Sequence, residues 1–110
     1  MKFIKEFFKK IFNLESNKII AVNFYNKDNI LDVKYLSKIE YEVYKIIKET
    51  DEKIQAVSIN RAMKIYISLA STYKILEDLV AMGLIEVEVI KLVDDPYVNI
   101  KKYFITNKLE

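Results

Sequence analysis

SINRAMKIYISLASTYKILEDLVAMGLIE, residues 58–86, decides the fold. It reads as two helices joined by a tight turn and followed at once by a strand. Leu69, Tyr73, Leu76, Leu79 and Val80 recur at helical spacing and place one stripe of a helix against a core. Ser68 stands before that helix, where its hydroxyl can accept from the free N–H groups of the first turn. Gly83, the only glycine in the chain, stands after it, where a left-handed residue ends a helix without steric cost. Ile85, Val87 and Val89 then alternate with Glu86, Glu88 and Ile90 as in a strand. The helix before the turn opens with Ser58 or Asn60 as its cap, and Ala62, Met63, Ile65 and Tyr66 are expected to point mostly inward.

Outward from this stretch, Ser37 with Glu40 three residues on is a capping box opening a further helix. Ile39, Val43, Ile46 and Ile47 give that helix its buried stripe, and TDEK (residues 50–53) is the polar break after it. IQAV (residues 54–57) is a short strand candidate. On the other side, residues 84–93 and 98–105 form a hairpin turned by DDPY (residues 94–97), where Asp-Pro is strong turn chemistry. Glu86 and Glu88 are expected opposite Lys101 and Lys102.

Three pieces together resemble the winged helix-turn-helix superfamily of small bacterial, archaeal and viral transcription regulators. Residues 57–86 are similar to its second helix, turn, recognition helix and first wing strand; LSKIEYEVYKIIKE (residues 36–49) to its first helix; and KKYFITNK (residues 101–108) to the aromatic-rich strand closing the wing. The resemblance spans residues 36–108, about two thirds of the chain. It implies an α+β fold, a three-helix core plus a β-wing hairpin, over residues 36–110. It also implies that the helix at residues 69–82 enters the major groove of double-stranded DNA, and that IQAV pairs with the wing.

Residues 1–35 form an extension to that domain. Over residues 2–13, Phe3, Ile4, Phe7, Phe8, Ile11 and Phe12 fall on one face of an amphipathic helix and Lys2, Lys5, Lys9 and Lys10 on the other. So much apolar surface needs a cover. Packing within the protein, or in a dimer or partner interface through Phe3, Phe7, Phe8, Ile11 and Phe12, is the expected fate. Membrane contact through residues 1–14, although basic and aromatic faces suit an interfacial helix, is the lesser reading. Lysines interrupt the apolar run and no small-residue cleavage site follows, against a signal peptide; no stretch approaches the roughly 20 apolar residues of a membrane span. Residues 19–25 and 30–36 are β-branched and aromatic runs flanking NKDN, which suggests a hairpin; a helical reading of residues 28–35 stays open, since short apolar runs are ambiguous by period.

Composition narrows the chemistry. At 110 residues, 52% hydrophobic and 31% charged, the chain is globular and large enough to bury a core. It has no cysteine and no histidine, which removes thiolate chemistry, the commonest metal ligand and the commonest general base. The acidic pairs at residues 51–52, 77–78 and 94–95 lack the apolar frame that would raise a carboxylate for acid–base work. No enzyme activity, cofactor or metal is expected, and a cytoplasmic location is.

The net charge of +2 is unevenly spread. No acid occurs between Glu52 and Glu77, whereas Lys53, Arg61, Lys64 and Lys74 all fall there. Duplex affinity comes largely from neutralising phosphates, so a binding face must be locally basic. The expected interface has Ala70, Ser71, Thr72 and Lys74 toward bases and backbone, with Lys53, Arg61 and Lys64 on phosphates. Tyr73 is assigned to the core. Family recognition helices often carry Arg or Gln where this one shows Ala70, Ser71, Lys74 and Asp78, so discrimination between sequences should be modest. The function expected is a DNA-binding transcription regulator acting as a homodimer. The alternative is a winged helix used for protein–protein contact, which the acidic wing tip favours.

Overall fold

A computed structural model of the chain describes residues 18–105, and for residues 95–98 the backbone only. The order is β1 (Ile20–Tyr25), β2 (Leu31–Leu36), α1 (Lys38–Glu49), α2 (Ala56–Ala62), α3 (Leu69–Ala81), β3 (Glu86–Leu92) and β4 (Asp95–Phe104). The described residues form an α+β fold of three helices and two separate two-stranded antiparallel sheets. The amphipathic segment at residues 2–13 lies outside the described residues, as do residues 106–110.

The run at residues 19–36 is a hairpin, not a helix. β1 pairs with β2 from Ile20 opposite Leu36 to Tyr25 opposite Leu31. Its turn is held by Asn26, whose Oδ1 accepts from the N–H groups of Asp28 and Ile30, both at 3.0 Å, while Asn29 takes a positive φ of 60°. This is the local side-chain bonding and left-handed tolerance that suit asparagine to turns. Val22, Phe24 and Leu36 then drop from the hairpin into the core that the helices share, so residues 20–36 pack with the rest of the chain.

α1 opens on the expected capping box: Glu40 N–H donates to Ser37 Oγ at 3.2 Å and Ser37 N–H to Glu40 Oε1 at 2.9 Å. Lys18 Nζ lies 3.4 Å from the other carboxylate oxygen, and so Glu40 is buried with its charge partnered. α1 contributes Val43, Tyr44 and Ile47 to the core.

α2 begins earlier than its polar residues suggest. Its N-cap is Gln55, without a side-chain cap bond, because Ala56, Ile59 and Met63 sit at helical spacing and turn the buried pair Ala56 and Ile59 inward. The IQAV strand shrinks to one bridge, Ile54 with Tyr103, closed by bonds of 3.0 and 2.7 Å. α2 ends at Ala62, so the connection to α3 runs over residues 63–68 and is not tight. Ile65 and Tyr66 therefore lie off the helix. Tyr66 is 98% exposed, against the inward placement expected of it, and Ala62 is exposed as well.

α3 is capped as read: Ser71 N–H donates to Ser68 Oγ at 3.0 Å. At its other end Gly83 adopts φ 81°, with Gly83 N–H bonded to Val80 O and Leu84 N–H to Leu79 O. That pair of bonds is the Schellman arrangement, and Leu79 and Leu84 are both buried beside it. β3 and β4 then pair from Glu86 opposite Phe104 to Lys91 opposite Asn99, after which the register shifts and Leu92 faces Asp95. The shift falls beside Pro96, which cannot donate to a ladder. β4 takes up Asp95, Pro96 and Tyr97, which are expected in the turn. Only Glu88 of the two acids faces a lysine, Lys102; Glu86 faces Phe104 and Lys101 faces Val89.

Two tyrosines tie the core to pH. Burial pushes the Tyr44 hydroxyl above its usual 10.0, with Tyr41 adding to the shift; burial does the same to Tyr103, with Tyr73 and Glu77 adding. A pKa raised in the folded state means that unfolded chains lose the proton first. The stabilisation is thus fully present below about pH 10 and is lost as pH rises through the folded values. Unfolding midpoints in urea should fall above about pH 10, and Tyr44→Phe and Tyr103→Phe should each flatten that fall.

Candidate functional site

Most of the expected residues are exposed on α3 or on the segment that leads into it. Ala70, Ser71 and Lys74 are exposed on α3, and Arg61 and Lys64 are exposed at the end of α2 and in the connection. The start of α3 is open to close approach: its first turn carries no acid and presents small side chains, with Ser68 Oγ also bonded to Ser71 Oγ at 2.9 Å.

Thr72 departs from the expected face. Its side chain is 0% exposed; its hydroxyl donates to Ser68 O at 3.1 Å and accepts from Asn60 Nδ2 at 2.8 Å. Asn60 Nδ2 also donates to Ile67 O at 2.9 Å. Asn60 is therefore not the cap of α2 but a clamp reaching from α2 across the connection to α3. Tyr73 departs the other way. It is 40% exposed, and Leu69 one turn earlier is 38% exposed, so both border the outer face of α3.

Charge at this surface is more mixed in space than along the chain. Lys53 is exposed but paired within the chain: its Nζ lies 3.1 Å from Glu88 Oε2 and 4.6 Å from the centre of the Phe104 ring. The acid-free window is entered by Glu42 of α1, whose Oε1 accepts from the N–H groups of Lys64 and Ile65. One turn beyond Lys74, Glu77 and Asp78 are exposed on the same helix. Of the expected basic residues, Arg61, Lys64 and Lys74 are exposed, and Lys53 is exposed with its charge shared with Glu88. Neither the Asn60 clamp nor the Glu42 contact has a sequence signature, since each joins residues brought together by the fold.

A groove beside this surface, about 630 Å³, runs between α1 and the connection, with Lys38, Lys45, Lys64, Glu42 and Glu49 among its lining. Among the described residues no cluster of acids is arranged to hold a metal ion, and no helix is long and apolar enough to cross a membrane. Phe3, Phe7, Phe8, Ile11 and Phe12 lie outside the described residues. No protein-family model, curated protein or solved structure matches the chain.

Proposed function

We propose that this chain is a DNA-binding transcription regulator of winged helix-turn-helix type, which sets α3 in the major groove and uses the β3–β4 hairpin as its wing. The observation that carries this reading is the first half of α3: a Ser-capped helix start with exposed Ala70 and Ser71, flanked by exposed Arg61, Lys64 and Lys74. Small side chains allow the backbone to approach base edges, and the three cations supply phosphate contacts. Lacking Arg, Asn or Gln on that face, the helix discriminates weakly, and affinity rests on the backbone. A homodimer would set two such helices about 34 Å apart along the duplex.

The test is a salt-dependent titration against random duplex DNA, with the mass of the free protein measured alongside. Arg61→Ala and Lys74→Ala should each weaken binding to every duplex by a similar factor and reduce the slope of log K against log salt by about 1. Unchanged affinity in both variants would remove α3 from the interface.

A second reading, a winged helix that docks protein, is favoured by one observation: Glu77 and Asp78 stand exposed on the helix that would enter the groove. Absence of duplex binding even at low salt would select it.

A further inference from the structure

We infer that the outer face of the β1–β2 hairpin is the seat of the chain's own residues 2–13, folded back over it as an amphipathic helix. The pleat divides the hairpin in two. Val22, Phe24 and Leu36 face the core, so Ala21, Asn23 and Tyr25, opposite Tyr35, Val33 and Leu31, face outward. An antiparallel sheet with one solvated face normally carries polar residues there. Its strand residues carry no charge, and Lys48 of α1 borders it beside Ala21, Asn23 and Leu31. Leu31 is 60% and Tyr35 56% exposed, with Val33 and Tyr25 exposed beside them. The inner face is already covered by the core, and an outer apolar face of this extent marks an interaction surface.

Length, chemistry and tether all point to residues 2–13. Twelve helical residues span about 18 Å, and six paired strand residues about 20 Å. Phe3, Ile4, Phe7, Phe8, Ile11 and Phe12 form a stripe to lay on an apolar face, leaving Lys2, Lys5, Lys9 and Lys10 in water. Lys18 is already held at Glu40, so the link is residues 14–17, able to reach about 14 Å and of the usual length for a helix–strand connection. So short a tether holds the segment at a high effective concentration over its own hairpin, ahead of any second copy. So seated, the helix would have its C-terminal end near Tyr35, opposite the start of β1, and its N-terminal end near Leu31. Of the fates the sequence leaves open to this helix, packing within its own chain is thereby chosen over an interface between copies.

The cysteine-free sequence permits single spin labels on the full chain, read by amide signals. A label at Leu31→Cys should broaden residues 2–8 most strongly, and one at Tyr35→Cys residues 9–13, in samples diluted with unlabelled protein. A label at Tyr66→Cys, in the connection before α3, should leave residues 2–13 sharp. Three outcomes overturn the assignment. Broadening seen only when spin-labelled and isotope-labelled copies are mixed gives the face to a second copy. Sharp signals in solution that vanish on adding phosphatidylcholine–phosphatidylglycerol vesicles give the helix to a lipid surface. Sharp signals under every condition leave the face without this occupant.

Discussion

Replacing Leu76 by alanine is expected to lower the unfolding free energy by about 2–5 kcal/mol, whereas Tyr66→Ala should change it by no more than about 0.5 kcal/mol. Leu76 is fully buried at the middle of α3, where the helix meets Val43 and Ile47 of α1 and Ile59 of α2 in one core. Truncation there removes buried methyl groups and leaves a cavity whose walls, drawn from separate elements, collapse only in part. Tyr66 presents a far larger side chain, but it is almost wholly in water and gives up little on truncation. Against the 5–15 kcal/mol typical of a small domain, the first loss would leave the protein marginal at growth temperature. Urea unfolding reads both, and an unchanged slope with a lowered midpoint in Leu76→Ala would confirm a loss of packing rather than a change in the exposed area. A shift under about 1 kcal/mol would mean that the site collapses around the smaller side chain.

The contrast between these residues shows how far the sequence could be read. What was local was legible. Ser37 with Glu40, Ser68 and Gly83 each act through backbone groups within a few residues, so their positions fix helix ends whatever the rest of the chain does. The hairpin around Asn26 belongs to the same class. The buried stripe of α3 was misplaced by part of a turn. Period and polarity together choose Leu69, Tyr73, Leu76, Leu79 and Val80, and the structure buries Thr72, Leu76 and Leu79, with Val80 partly buried against the core. A hydroxyl can take the core position because Asn60 and Ser68 O satisfy it, and polarity scales cannot anticipate a partner on another helix. Tyr66 failed for a different reason: α2 stops at Ala62, and helical spacing says nothing about residues beyond the end.

The candidate surface repeats that division. Arg61, Lys64, Ala70, Ser71 and Lys74, expected on a binding face from type and spacing, are all exposed. Distance along the chain hides the pairing of Lys53 with Glu88, 35 residues away, and the reach of Glu42 from α1 to Lys64. An absence of acids along a stretch of chain is therefore a weaker statement than an absence around it, since the field at a surface sums over every element that reaches it.

The second large effect follows from the clamp. Asn60→Ala is expected to cost about 1–3 kcal/mol, although Asn60 is only partly buried and belongs to a short helix. Both of its amide hydrogens are used, on Ile67 O at 2.9 Å and Thr72 Oγ1 at 2.8 Å. Removing the amide leaves the connection without a tie at Ile67 and takes one partner from a hydroxyl that has no exposure to water. Thr72→Val keeps the shape of that side chain while deleting the hydroxyl, so it should cost less than Asn60→Ala. The double variant should then cost less than the two single losses added together, because each removes the same bond. Additivity within about 0.5 kcal/mol would show that Asn60 and Thr72 act independently. Under the DNA-binding proposal the clamp has a further consequence. It fixes residues 63–68, and with them Lys64 and the start of α3, relative to Arg61 on α2. Asn60→Ala should then weaken duplex binding while leaving the salt slope near its starting value, since no phosphate contact is deleted. A slope reduced as far as in Arg61→Ala would instead make Asn60 part of the contact surface itself.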